Sequence, residues 1–494
     1  MSASVSLPTT GWKRLLVEPR RPEAVRRLPW AHWLVVGTVC IGAFMGQLDA
    51  SIVTMAFPEL RHDFGASLTS VQWVGQAYLL VLIALLMAVG RYADMVGRKL
   101  LYTYGFAIFV LASALCGLAP SLVWLVAFRA LQGVGAAMYQ ANSVAILVGT
   151  MPRARLGRAI GVQGGAQALG LALGPALGGL LIAAAGWRLI FYVNVPVGII
   201  GAALAWLLVP RSTNLAGRAR FDWPGLAVFA PAVCTFLLGL SRGEGGGWAT
   251  PGTLALFGAS AFFGTLFIAR QRRARAPLLS LGLFRRLPFS AGIASGLLSY
   301  MVLFGTLTAV PFFFEAAMGQ GPGRAGLELL VLPLGLAMAA PAAGRLAERW
   351  GPRPLTVGGM ALTAAMLIMT ALWHENLPFV LVALAVAGIG LGAFTPPNNA
   401  AIMGAAPPNL AGVASGTLNM TRGLGTSLGL AVAGLAFTVG ASSATSHASA
   451  AGAGFREAAL AMAAAAALAA LVATARGAGP LAKELSKQVV VEPS

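Results

Sequence analysis

Fourteen apolar runs of about twenty residues follow one another along this chain, and they leave it few ways to fold. A run of that length matches a helix crossing the hydrocarbon core of a bilayer, where each backbone N–H must be satisfied inside its own helix. The runs read as Trp33–Phe57, Val71–Gly90, Leu100–Ala119, Leu122–Val148, Ala159–Ala185, Leu189–Val209, Asp222–Leu240, Gly252–Ala269, Phe289–Ala317, Ala325–Ala343, Leu355–Trp373, Pro378–Met403, Ala411–Val439 and Phe455–Thr474. They are called spans 1 to 14 below. The chain is therefore expected to be an all-α polytopic membrane protein with the lipid bilayer as its first partner. Of its 494 residues 10% are charged, where a soluble protein carries about 25%. The residues before Pro29 are basic and lack an apolar core, so the first run reads as a retained span and not as a cleavable signal.

Charge placement orients the spans. Of the 34 Lys and Arg residues, 27 fall in the tails and in the loops after even-numbered spans. Five fall in the other loops, and Arg129 and Arg422 lie inside spans. Cytoplasmic loops hold the excess of Lys and Arg, so both termini are expected in the cytoplasm. The same bias accounts for the net charge of +19 without a nucleic-acid partner. Cys40, Cys116 and Cys234 all lie in apolar runs, and the four histidines are scattered. Neither a disulfide framework nor a metal site is expected, and no cofactor beyond a proton gradient.

Three motifs recur in the same order. The stretch "GRYADMVGRK" (90–99) returns as "GRLAERWGPR" (344–353), displaced by 254 residues. Gly161, Gly170, Gly174 and Gly179 pair with Gly416, Gly425, Gly429 and Gly434 at a displacement of 255. Gly133 and Gly135 pair with Gly388 and Gly390 at that same displacement. Both copies lie on the same side, so the repeat is parallel, as in transporters whose two six-span halves rock about a central site. The organisation expected is a cytoplasmic tail (1–30), a six-helix half (31–210), two inserted helices (211–275), a second six-helix half (276–475) and a C-terminal tail (476–494).

The motifs "LDASIVTMAFP", "GRYADMVGRK", "FRALQGVGAA", "GLALGPALGG", "WRLIFYVNVPVG" and "SGTLNMTRGLGTSLG" together resemble the major facilitator superfamily, in its fourteen-span drug:proton antiporter family. The resemblance covers nearly the whole chain and is not specific for a substrate. It implies the major facilitator fold and export by alternating access. It further implies that the loop motif latches the outward-facing state, and that Gly170, Gly174, Pro175, Gly178 and Gly179 mark an exporter.

The residues point to particular roles. Asp49 in span 1 and Arg129 in span 4 lie about 12 and 10 Å below the outer ends of their helices, at 1.5 Å per residue. An acid at that depth is costly and usually functional, so the pair is read as the proton-coupling site, with a static ion pair as the alternative. Asp94, flanked by Gly90, Gly97, Arg98 and Lys99, should face the N-terminus of span 13, where a carboxylate gains about 0.3–2 kcal/mol. Glu348 should face span 5 by the repeat. The alternative is that these charges only set topology. The glycines of span 5 form a stripe that admits another backbone, expected to be span 10. Gln167, Asn419 and Arg422 lie near the midplane and are read as lining the substrate cavity. Glu315 near the outer end of span 9 departs from the family's usual Gln. It is either a substrate or second proton site or a solvated rim residue.

"GTSLG" (425–429) has the G-x-S-x-G form, but it lies in an apolar helix with no His partner, so no enzyme is expected. The function expected is proton-coupled export of small amphipathic organic compounds across a bacterial cytoplasmic membrane. Export of a self-made metabolite and a transport-dead sensor are the alternatives, and a partner that spans the envelope is left open.

Overall fold

The computed structural model describes residues 18–212, 221–274, 276–442 and 447–475. The remainder of the two expected tails (1–17 and 476–494) and part of the inserted segment (213–220 and 275) lie outside the described residues. Fourteen helices are long and apolar enough to cross a membrane, and no strand occurs among the described residues. The helices extend past the apolar runs at many ends. Span 2 is helical over Leu68–Val96, so Asp94 sits in its last turn and not in a loop. Span 1 is α-helical over Ala31–Ile52, tightens to a 3-10 turn at Val53–Ala56, and resumes as a short helix, Phe57–Phe64. Span 5 (Leu156–Ala185) and span 9 (Leu287–Ala316) run unbroken through Pro175 and Pro311.

Local chemistry sets several helix starts. Ser67, Asp222, Thr250 and Asn376 each accept a hydrogen bond from the backbone N–H three residues on, satisfying a donor that the first turn leaves over. Proline follows in the first turn of spans 7, 8 and 12, where its missing N–H costs nothing. Gly97 and Gly351 close spans 2 and 10 with φ of 125° and 77°, a region that side chains disfavour.

The main helix pairings of one half have counterparts in the other. Spans 1 and 5, 2 and 4, 3 and 4, and 3 and 6 pack together, as do 9 and 13, 10 and 12, 11 and 12, and 11 and 14. Across the divide span 5 meets span 10, and span 13 meets span 2. Small residues make these approaches possible, since lipid supplies no hydrophobic drive between helices and packing must do so. Spans 7 (Trp223–Gly246) and 8 (Pro251–Arg273) form a hairpin against spans 2 and 13. It is closed at its base by Asp222, which accepts from Arg270 at 2.9 Å and Gln271 at 3.0 Å. The core of the first half includes an aromatic cluster of Tyr102, Phe106, Phe109 and Tyr139, with Phe106 stacked on Tyr139 at 5.1 Å.

Candidate functional site

Asp49 is fully buried and lies four residues before the 3-10 turn of span 1. Its Oδ2 accepts from Arg129 Nη1 at 2.7 Å, joining the two charges placed at similar depth by the sequence. Its Oδ1 accepts from Gln132 Nε2 at 3.0 Å and from Asn194 Nδ2 at 2.9 Å. Ser113 completes the set: it accepts from Gln132 at 3.2 Å and donates to the Phe191 carbonyl. Arg129 is held from its other sides, donating to the Val74 carbonyl and to Gln132 Oε1 and lying 4.3 Å from the Tyr78 ring centroid. Spans 1, 2, 3, 4 and 6 thus converge on one carboxylate. Among the described residues, each side chain that hydrogen-bonds to it donates. Gln132, Ser113 and Asn194 went unnoticed in the sequence, although Gln132 stands one turn after Arg129 and Asn194 is a lone amide in an apolar run.

Of the residues expected to form a latch, Asp94 and Arg98 meet the start of span 13 at the end of the bundle where Lys and Arg gather. Asp94 accepts from the Gly412 and Val413 N–H groups at the start of span 13, at 2.8 and 3.0 Å. Arg98 donates to Asp94 through both Nε and Nη2, and reaches the Pro408 carbonyl at 2.8 Å. The copy in the second half is simpler: Glu348 accepts from the Arg158 N–H at the start of span 5, at 3.0 Å. Lys99 turns away from the latch, to the Pro19 carbonyl. Gly90 abuts the Gly412 carbonyl, and Gly344 abuts the Gly157 carbonyl, so the two halves touch backbone to backbone at both crossings. The bundle is closed at this end.

The glycine stripe of span 5 requires a correction. Gly170, Gly174 and Gly178 face span 1, at Phe44, Ser51 and Met55, and not span 10. Gly179 has open space beside it. The residues that admit span 10 are Gly157, Gly161 and Gly165, against Gly344, Ala340 and Ala337. The step of five from Gly165 to Gly170 turns the stripe about 140° around the helix, so one helix serves two partners. Span 13 does the same, with Gly412 and Gly416 on span 2 and Gly425 and Gly429 on span 9. "GTSLG" is thereby a helix contact and not a nucleophile elbow.

Near the middle of the bundle Arg422 donates to Asn419 Oδ1 at 3.0 Å and reaches Gln167 Oε1 at 3.5 Å across the divide. Asn419 in turn donates to the Gln140 and Ser415 carbonyls. Two narrow cavities of about 10 and 20 Å³ adjoin, too small in this conformation for an organic molecule and so a substrate site only once the bundle opens. One is bounded by Gly296, Tyr300, Asn398, Asn399, Thr421 and Arg422 among others, and the other by Gln47, Gln167, Ser299, Tyr300 and Thr395 among others. Asn419 lies behind Arg422 and not on a cavity wall. Glu315 is exposed at the end of span 9 and lines neither cavity.

The sequence matches the profile of the Major Facilitator Superfamily over residues 39–430 and 292–488. The chain belongs to that superfamily. Among its relatives are the riboflavin transporter RibZ of Clostridioides difficile, 34% identical over 81% of this chain and 87% of the relative, and the tetracenomycin C resistance and export protein of Streptomyces glaucescens, 35% identical over 84% and 77%. The multidrug resistance protein Stp of Mycobacterium tuberculosis is 34% identical over 80% of this chain and 74% of the relative. The fold also resembles that of the crystallised human organic anion transporter MFSD10, with a TM-score of 0.65 at 16% identity, covering 90% of this chain and all of that one. As a superfamily member the chain is a multi-pass membrane transporter of small molecules, with relatives in drug and antibiotic resistance.

Proposed function

We propose that the protein exports small amphipathic organic compounds from a bacterial cytoplasm in exchange for protons, with both termini on the cytoplasmic side. The observation that carries this reading is Asp49, an acid buried inside an apolar span and met by Arg129, Gln132 and Asn194. A carboxylate kept at such depth at a cost usually has work to do. In the cycle proposed, the conformation latched by Asp94 is open to the outside, and Asp49 takes its proton there. Protonation removes the charge that Arg129 and the two amides are arranged to meet, and spans 1, 4 and 6 lose part of what holds them together. Asp94 releases span 13, the bundle reopens toward the cytoplasm, and the proton leaves as substrate binds. Coupling follows because proton and substrate favour different states. Gly170, Gly174 and Gly178 support the reading by allowing span 1, which carries Asp49, to slide on span 5.

Transport by purified protein in vesicles under an imposed pH gradient tests the proposal. Asp49→Asn should bind substrate yet lose all response to the gradient; an undiminished response in that variant would sink the role given to Asp49. A second reading, transport of a planar metabolite, gains from the name of the riboflavin relative. Riboflavin therefore belongs among the compounds offered.

A further inference from the structure

Three charged side chains are buried in the middle of the membrane-spanning bundle: Asp49, Arg129 and Arg422. Asp49 and Arg129 cancel each other at 2.7 Å. Arg422 has no carboxylate within ion-pair distance among the described residues. It lies eleven residues into span 13 (Ala411–Ala441), about 16 Å from the helix start. Among the described residues, the groups that accept its hydrogen bonds are two neutral amide oxygens, those of Asn419 and Gln167, the second at the limit of bonding. Its Nε is buried and unmatched. A buried charge without a counter-ion is expensive, and an ionisable group inside a membrane usually marks a substrate or ion path.

The surroundings say what that is. Arg422 forms part of the cavity wall, with its guanidinium 5.4 Å from the centroid of the Tyr300 ring. Asn398, Asn399 and Thr421 share the wall, and no acidic residue lines either cavity. A guanidinium presents several donors in one plane and suits carboxylate, phenolate and similar oxygens. The Tyr300 ring, a face on which Arg422 already rests, suits a flat aromatic body. A cation entering the same space would meet an unneutralised positive charge.

We propose that Arg422 sets the substrate class: planar aromatic compounds bearing an anionic or carbonyl-rich edge, in preference to organic cations. The edge meets Arg422 and the aromatic body lies along Tyr300. Glu315, exposed and outside both cavities, takes no part in this selection. The inference rests on the reading of the central cavity as the substrate site, and does not depend on which group carries the proton.

Equilibrium binding to the detergent-solubilised full chain tests it with two flat dyes, anionic fluorescein and cationic ethidium. Wild-type protein should bind fluorescein at least 10-fold more tightly, the span expected of one hydrogen bond to a charged group. Arg422→Gln should erase that preference, Arg422→Lys should keep part of it, and Asn399→Asp should turn it toward ethidium by placing a carboxylate in the same cavity. Tighter binding of ethidium by wild type, or an unchanged ratio in Arg422→Gln, would overturn the proposal. So would failure of both dyes to bind, or of unlabelled riboflavin to displace fluorescein. Asp49→Asn should leave the ratio intact. An undiminished pH response in that variant with the ratio preserved overturns the coupling scheme alone, and a lost pH response with no preference for fluorescein in wild type overturns the selectivity alone.

Discussion

Asp49, fully buried, accepts from three side chains on two other helices. Truncating Arg129 to Ala removes the one cation that pairs with the carboxylate among the described residues and should cost roughly 3–5 kcal/mol of stability, read as a lower melting temperature in detergent. Asp49→Ala should do comparable harm by stranding Arg129. The double variant should be less damaged than the sum of the two, because neither charge is then left alone. Asn194→Leu and Gln132→Leu each remove one donor to a charged group, worth about 1.5–3 kcal/mol. Both variants should lower the melting temperature in detergent, by less than Arg129→Ala does. Asp49 and Arg129 were legible in the sequence because a charge within an apolar run is conspicuous. Gln132, Ser113 and Asn194 were not, since an uncharged polar residue in a span occurs often and nothing in the chain says which way it points.

At the scale of the element, helix existence and the repeat could be read directly, because apolar length and glycine spacing survive without any tertiary information. Which face a glycine presents could not. Gly170 and Gly174 are four residues apart, as are Gly157 and Gly161, but the two series lie on different sides of span 5 and take different partners. The partner follows from the approach angle of the neighbouring helices, which a single sequence does not encode in a readable way. The contacts lead to unequal outcomes for similar substitutions. Gly90→Val would thrust a branched side chain into the Gly412 carbonyl, and should shift the population away from the closed state. Spin labels on the basic ends of spans 2 and 13 should then report longer distances. Gly179→Ala meets open space and should leave melting temperature and transport within error of wild type.

On the scale of the whole molecule, the two crossings are matched in backbone geometry and unequal in charge. Asp94 engages two N–H groups of span 13 and two donors of Arg98 on one oxygen, while Glu348 engages one N–H of span 5. Asp94→Asn should therefore open the basic end of the bundle more than Glu348→Gln does, as judged by labelling of cysteines placed within the central cavity. Membrane-impermeant reagents applied to intact cells should fail to reach tags at either terminus, if the distribution of Lys and Arg orients the chain as expected. A final consequence concerns electricity. A carrier that exchanges one entering proton for one departing monoanion moves two positive charges inward per cycle. Each is worth about 2.3 kcal/mol per 100 mV, so such a carrier draws on the membrane voltage twice, while one that exports a monocation for the same proton draws on it not at all. The unpaired guanidinium of Arg422 thereby bears on the energy source as well as on the cargo. Vesicles adsorbed to a sensor electrode should give a current when offered an anionic substrate, and silence when offered a singly charged cation.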